Sequence, residues 1–361
     1  MSAPALVSRS LYGTVQHPHD QGKQAELICL RNDQGTEVSL CNWGLTLTSF
    51  TLLDKHQQAT NILLHCDHLA DFERQCASLN AIVGRYGNRI AEGKLPVGDQ
   101  IHQVTVNLPP HHLHGGEVGF SKVLWHIRKA EIVEGVPTAI LEYQAKDGEE
   151  GFPGNLFCQI TVQLHHDNEL RFTLTAEPDA DTHVNLTHHA YFNLSGQFNQ
   201  PLDQHLFKIH SQQITEVDAD GIPTGELTKI SQTPLDFSEF KTLDLDSQHP
   251  LMTRADGFDH NFVFKTRNSS DAQVMVEVKN PDNGICLTLT STQPGMQFYS
   301  GQYLGGTPGP DGQIYESYRG FCLEPQHFPD TPNHSHFPTT LVRKGEKYQQ
   351  VFSYHATVES D

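Results

Sequence analysis

Short segments of alternating apolar and polar residues recur along almost the whole chain. They include AELICLRN, TEVSLCNW, LTLTSFTLL, QVTVNL, AILEYQA, LFCQITVQLHH, ELRFTLTAEP, HLFKIHS, FVFKT, VMVEVKN, ICLTLTST and MQFYSGQYL. A period of two suits a pleated strand with one buried face, and the intervening NDQG, DKHQ, KDGEEGFPGN, HDNE and NPDNG have the Gly, Asn, Asp and Pro content of turns. Helical spacing is scarce; only DHLADFERQCASL, behind an Asp cap, shows it. Gly-rich phosphate loops, internal repeats and low-complexity linkers are absent from the sequence. The expectation is an all-β protein, one large antiparallel β-sandwich with a few short helices, formed by residues 1–361 as a single domain.

Composition narrows the partners. A net charge of −19 without a block of Lys or Arg excludes the basic footprint needed for nucleic acid or an anionic membrane. No apolar run approaches the ~20 residues that span a bilayer. The start of the chain lacks the pattern of a secretory or transit leader, so a cytoplasmic location is expected. Its seven cysteines are scattered without a CxxC pair, as suits reduced thiols. A small neutral ligand fits best, with a monomer or weak homodimer as the expected assembly. Most of the 23 histidines, such as His17, His19, His56 and His210, sit among polar residues and read as solvated.

The run VNLTHHAYFNLSG poses a sharper question, because adjacent residues of a strand face opposite ways. Val184, Leu186, His188, Ala190, Phe192 and Leu194 form an apolar face interrupted only by His188. His183, Asn185, Thr187, His189, Tyr191 and Asn193 form a polar face, expected to meet water or a ligand cleft. His188 therefore reads as a hydrogen-bonded core histidine whose partner the sequence does not identify. His189 reads either as an exposed strand residue or as a catalytic group.

The same phase argument places Asp259 and Asn261 opposite Phe258, His260, Phe262 and Phe264 in GFDHNFVF, and Glu324 opposite Phe321 and Leu323 in RGFCLEPQHFPD. Pro325 suits an edge or a cleft rim. A carboxylate among apolar neighbours is desolvated, which raises its pKa toward the range of a general base; the alternative is a surface acid at a strand end. In NAIVGRYGNRIAEGKL, Arg89 beside Asn88 offers a planar fork of donors for hydroxyls or carboxylates, or else a structural ion pair. His112, His114 and Glu117 form an HxHxxE pattern that is short by a residue for a cupin-type metal site, so metal binding is not expected.

Taken together, GRYGNRI, LHGGEVGFSKVLW, DGEEGFPGN, NLTHHAYFNLSG, GFDHNF, QPGMQFYSG and CLEPQHFPDTPN resemble, in order, the motifs of the aldose 1-epimerase (galactose mutarotase) family. The resemblance implies the galactose mutarotase-like supersandwich and a cleft that takes free aldohexoses without metal or cofactor. It also implies that His189 is the acid and Glu324 the base. Asn88, Arg89, His114, Asp259 and Gln297 match positions that hold sugar hydroxyls, with Tyr191 beside them.

Mutarotation needs a base at the C1 hydroxyl and an acid at the ring oxygen. Unperturbed pKa values of about 6.5 and about 4.3 would place such a His/Glu pair near neutrality. Three alternatives stand beside this one: a hexose-phosphate epimerase, which needs a second cation next to Arg89; a non-enzymatic sugar-binding protein, which needs no acid or base; and a glycosidase using Asp259 and Glu324.

Overall fold

The computed structural model describes residues 4–75, 77–265 and 271–359. Three antiparallel sheets dominate. The first is a five-stranded meander in chain order, from Leu6–Thr14 to Ala59–Asn61. The second has eight strands: the meander His126–Val133, Val136–Ala145, Leu156–Leu164 and Glu169–Pro178, then Tyr348–Val358, Ile285–Ser291, Gln273–Lys279 and Leu206–Ile209. The third runs Tyr191–Phe192, Phe321–Gln326, Gly295–Tyr299, Asp259–Val263, Gln213–Val217 and Pro223–Lys229.

Alternation explains the stacking. In Glu169–Pro178, Leu170, Phe172, Leu174 and Ala176 are buried while residues between them are more exposed. Their apolar face meets the apolar face of the third sheet in one continuous core, where Phe172 stacks on Phe352 at 4.8 Å and Phe207 packs on Phe321 and Phe298 at 5.0 and 5.3 Å. Burying each such ring stabilises the fold by about 1.5–3 kcal/mol. The third sheet is unusual in that every residue of Phe321–Gln326 and of Gly295–Tyr299 is buried. One of its faces is apolar core; the other carries buried polar side chains, which only a site or a covering layer can accommodate.

Several local expectations change. VNLTHHAYFNLSG is not one strand but two two-residue strands, Thr187–His188 and Tyr191–Phe192, preceded by a third, Thr182–His183, and each pairs with a different partner. Its polar side is buried throughout, because loops cover it: Asn185 Nδ2 donates to Gly87 O, and Asn185 Oδ1 accepts from His327 N. QVTVNL is largely irregular, the strand there being Gln100–Gln103. The anticipated helix shrinks to Leu69–Arg74 with His68 at its N-cap, and Asp67 instead accepts from Asp311 N. Cys76 of that segment lies outside the described residues. A second six-residue helix, Pro250–Ala255, is too short to give a readable period; Pro250 opens it and His249 Nδ1 accepts from Leu251 N.

The histidines divide. His19, His56 and His210 are exposed and His17 is half-buried, but His111, His112, His183, His188, His189, His205 and His260 are buried. His188 has its partners: Nε2 lies 2.9 Å from Asn80 O and Nδ1 3.3 Å from Tyr354 OH, with the ring stacked on Phe172 at 5.0 Å.

Candidate active site

The floor of the site is the polar face of the third sheet. Register sets Glu324 opposite Gln297, and Gln297 opposite Asn261; the next row joins Cys322, Tyr299 and Asp259. Residues two apart on one strand share a face, so Glu324 and Cys322, Gln297 and Tyr299, and Asp259 and Asn261 all project the same way. Gln297 Nε2 donates to Asp259 Oδ1 at 2.6 Å, which fixes both side chains. Phe321–Gln326 pairs with Tyr191–Phe192 only at Phe321 and Cys322, so Pro325 lies where that flank of the strand has no ladder to feed.

Loops build the wall. Gly115 has φ +88° and packs against the backbone of Gly84, where an added Cβ would fall 1.8 Å from the Gly84 carbonyl; only glycine fits this turn. Glu150, from the DGEEGFPGN segment, accepts from the N–H groups of Glu117 and Val118 and ties down the far end of the same loop. His114 is thereby held over the floor. Its Nδ1 accepts from Asn88 N at 3.2 Å, which leaves Nε2 as the ring nitrogen carrying hydrogen. Asn88 Oδ1 accepts from Arg89 N at 2.9 Å, and the Arg89 guanidinium stands 3.8 Å from the Asp259 carboxylate.

His189 and Glu324 meet at the centre, Nε2 to Oε1 3.7 Å. Asn80 N donates to the His189 carbonyl, and the imidazole stacks on Tyr191 at 5.0 Å and meets the His114 ring edge-on at 5.2 Å. Cys322 Sγ lies 3.4 Å from His189 Nδ1. Ordinary pKa values do not apply here. Burial lowers His189 to about 4. Burial, reinforced by the charge of Asp259 and opposed by Arg89, lifts Glu324 well above the usual carboxylate range. Burial, then His189 and Arg89, holds His114 well below 6.5.

These groups line a cavity of about 630 Å³. It brings together all eight residues singled out in the sequence: Asn88, Arg89, His114, His189, Tyr191, Asp259, Gln297 and Glu324. Glu324 Oε2, Gln297 Oε1 and Arg89 Nε are buried and have no hydrogen-bond partner among the described residues. The HxHxxE residues do not converge, since His112 turns its Nδ1 to Thr105 O and Glu117 is exposed. A different trio, His114, His189 and Glu324, has donor atoms within 4.8 Å of one another and is chemically able to hold a metal ion. Tyr299, Tyr303 and Cys322 belong to the site and its surround but were not singled out; the period-two relation of Tyr299 to Gln297 and of Cys322 to Glu324 was the signal for two of them.

The comparisons with known proteins point one way. The family profile for aldose 1-epimerase matches residues 26–355. Galactose mutarotase from Sus scrofa is 36% identical over 346 residues, covering 96% of this chain and 97% of that protein. Aldose 1-epimerase from Escherichia coli is 32% identical, covering 94% and 97%. Among solved structures, an aldose epimerase homologue from C. elegans superposes with a TM-score of 0.82 at 27% identity, covering 91% of this chain and 97% of that one. The fold is that of the galactose mutarotases, and the chain belongs to the aldose 1-epimerase family.

Proposed function

We propose that the protein is an isomerase interconverting the α and β anomers of free aldohexoses such as galactose and glucose, by acid/base ring opening and reclosure, with residues 1–361 acting as one catalytic unit. The observation that carries this reading is the buried His189–Glu324 pair beside three buried hydrogen-bonding atoms that have no partner among the described residues. A ligand rich in hydroxyl groups supplies what those atoms lack.

The perturbed pKa values give the pair a natural cycle. Burial favours the uncharged arrangement, Glu324 protonated and His189 neutral. Passing that proton to His189 Nε2 creates the carboxylate, which Arg89 favours, and the imidazolium, which Asp259 favours. Glu324 then takes the proton of the C1 hydroxyl while His189 protonates the ring oxygen, the C1–O5 bond breaks, and the open-chain aldehyde is left beside an uncharged pair. Rotation about C1–C2 exposes the other carbonyl face. On reclosure O5–H returns its proton to His189 and Glu324 protonates the carbonyl oxygen, so the cycle balances. With His189 Nδ1–H donating to Cys322 Sγ, Nε2 is the atom that gains and loses the proton. Arg89, Asp259, Asn88, Gln297 and His114 hold the hydroxyls, and Tyr191 supports the His189 ring.

Among the described residues lining this cavity, the second cation a sugar phosphate would need already has a partner. Arg74 and Arg89 both line the cavity, but the Arg74 guanidinium is paired with Asp71. We also propose a cytoplasmic monomer or weak homodimer; among the described residues no helix is long and apolar enough to cross a membrane. Magnetisation exchange between the α and β anomeric protons of galactose tests the activity: catalytic protein should make exchange visible, and unaltered anomeric signals would reject the reading.

A further inference from the structure

The row of the sheet that holds Glu324 and Gln297 does not stop at the site. Asn261 pairs with Gln297, and Thr215 comes next because Ile214 is registered with Phe262 on the adjoining strands. Glu324, Gln297, Asn261 and Thr215 thus form one line across four strands spaced about 4.8 Å apart. Asn261 and Thr215 are 2% and 1% exposed. Asn261 Oδ1, Asn261 Nδ2 and Thr215 Oγ1 all lack a hydrogen-bond partner among the described residues. Leaving such groups unmet costs about 1–3 kcal/mol each, an outlay with no return unless something polar binds there.

Both residues line a second cavity of about 210 Å³, on the far side of the Arg89–Asp259 pair. A water molecule occupies about 30 Å³, so the space equals roughly seven waters. Its charged groups are Glu216, Asp218, Asp220 and Asp259 against Arg89 and Arg254, which disfavours an anion. Several are already engaged: Asp218 Oδ1 accepts from Asp220 N and Ile222 N, Glu216 from Thr228 Oγ1, and Arg254 Nη1 donates to Val217 O. Apart from the unmet atoms of Arg89 and Gln297, which the two cavities share, the buried groups left to a ligand are an amide that both donates and accepts and a hydroxyl that does the same. That set matches alcohol groups.

We propose that this cavity binds a neutral polyhydroxylated molecule no larger than a hexose, separate from the sugar being turned over. Arg89, Asp259, Asn88 and Gln297 wall both cavities, so occupancy of the second alters how the first holds its sugar. The link to turnover rests on the mutarotase reading; the binding site itself does not.

The test is calorimetric titration of D-galactose into the full-length protein and into Asn261→Leu and Thr215→Val, alongside mutarotation rates. The wild type should bind two galactose molecules per chain and each variant one. Wild-type rates should depart from single-site saturation at high galactose, and Thr215→Val should return to it with an unchanged rate at low galactose. That unchanged rate also shows Thr215→Val, which is close to isosteric, to be folded. One galactose per chain in the wild type, or two retained in both variants, overturns the proposal and leaves a water-filled cavity. Two bound galactoses without any mutarotation would instead reject the enzymatic reading and keep the second site.

Discussion

Glu324 Oε1 and His189 Nε2 face one another at 3.7 Å, with side chains 2% and 7% exposed. An exposed His/Glu contact of this length would be a screened ion pair. With so little of either side chain exposed, burial drives both groups toward neutrality, and in the proposed mechanism their shared proton is the variable that governs the site.

That variable predicts the pH dependence. The active protonation level carries one transferable proton on the pair. It is lost at low pH when His189 is protonated while Glu324 keeps its proton, and at high pH when Glu324 gives its proton up. kcat/KM should therefore rise through pH near 4 and fall again only well above the usual carboxylate range, where the raised pKa of Glu324 lies. An acid limb near 6.5 in the rate profile would show an unperturbed histidine and contradict this account.

Cys322 should act as a positioning residue through His189. Removing its sulfur in Cys322→Ala deletes the contact at 3.4 Å to Nδ1. One net hydrogen bond is worth about 0.5–1.5 kcal/mol, so kcat should fall roughly 2- to 10-fold with little change in KM. Cys322→Ser should retain most of the rate. Equal losses in both variants would remove this contact from the account.

Arg89 stands 3.8 Å from Asp259 and keeps a buried, unpartnered Nε. Hydrogen bonds to charged groups are worth about 1.5–3 kcal/mol, so Arg89→Ala should raise the KM for galactose by roughly 10- to 150-fold, with a smaller effect on kcat. Steady-state kinetics reads the split, and an unchanged KM would place the sugar elsewhere.

Buried neutral histidines should make the fold acid-labile at an unusually high pH. Burial lowers His112, His183 and His205 to about 4 and His188 to about 3, all below the unfolded value of 6.5. The unfolded chain then binds the extra protons first. Stability is full above about pH 6.5 and is lost progressively toward pH 4 and 3, at up to about 1.4 kcal/mol per pH unit for each histidine. Urea midpoints measured from pH 7.5 to 4.5 should fall steadily, whereas a flat profile down to pH 5 would mean that these rings are protonated in the folded state.

The sheet-rich fold was legible because period-two patterning survives wherever a strand has one buried face, as in Glu169–Pro178, whose bounds match ELRFTLTAEP. The same reading assigned His188 to the core and His189 to the cleft, although the segment is two short strands rather than one. Side-chain alternation persisted locally while the backbone changed partners. What the phase argument could not show was that Asn185, Thr187 and Asn193 are buried too, because the layer covering them comes from residues distant in sequence. The partners of His188, Asn80 and Tyr354, lie over a hundred positions away on either side for the same reason. The pKa values of the central pair were likewise out of reach, since they depend on how completely the cavity excludes water.

The central claim is that His189 and Glu324 pass protons to and from a sugar's anomeric centre. Polarimetry of freshly dissolved α-D-galactose tests it most directly, comparing wild type, Glu324→Gln and His189→Asn at equal concentration. A positioned acid or base contributes about 10²–10⁴-fold, so each variant should lose that factor while the wild type speeds relaxation to an unchanged final rotation. Wild-type turnover by Glu324→Gln, or more than a few per cent (~5%) of the rate in His189→Asn against the at least ~100-fold loss expected, would contradict the assignment.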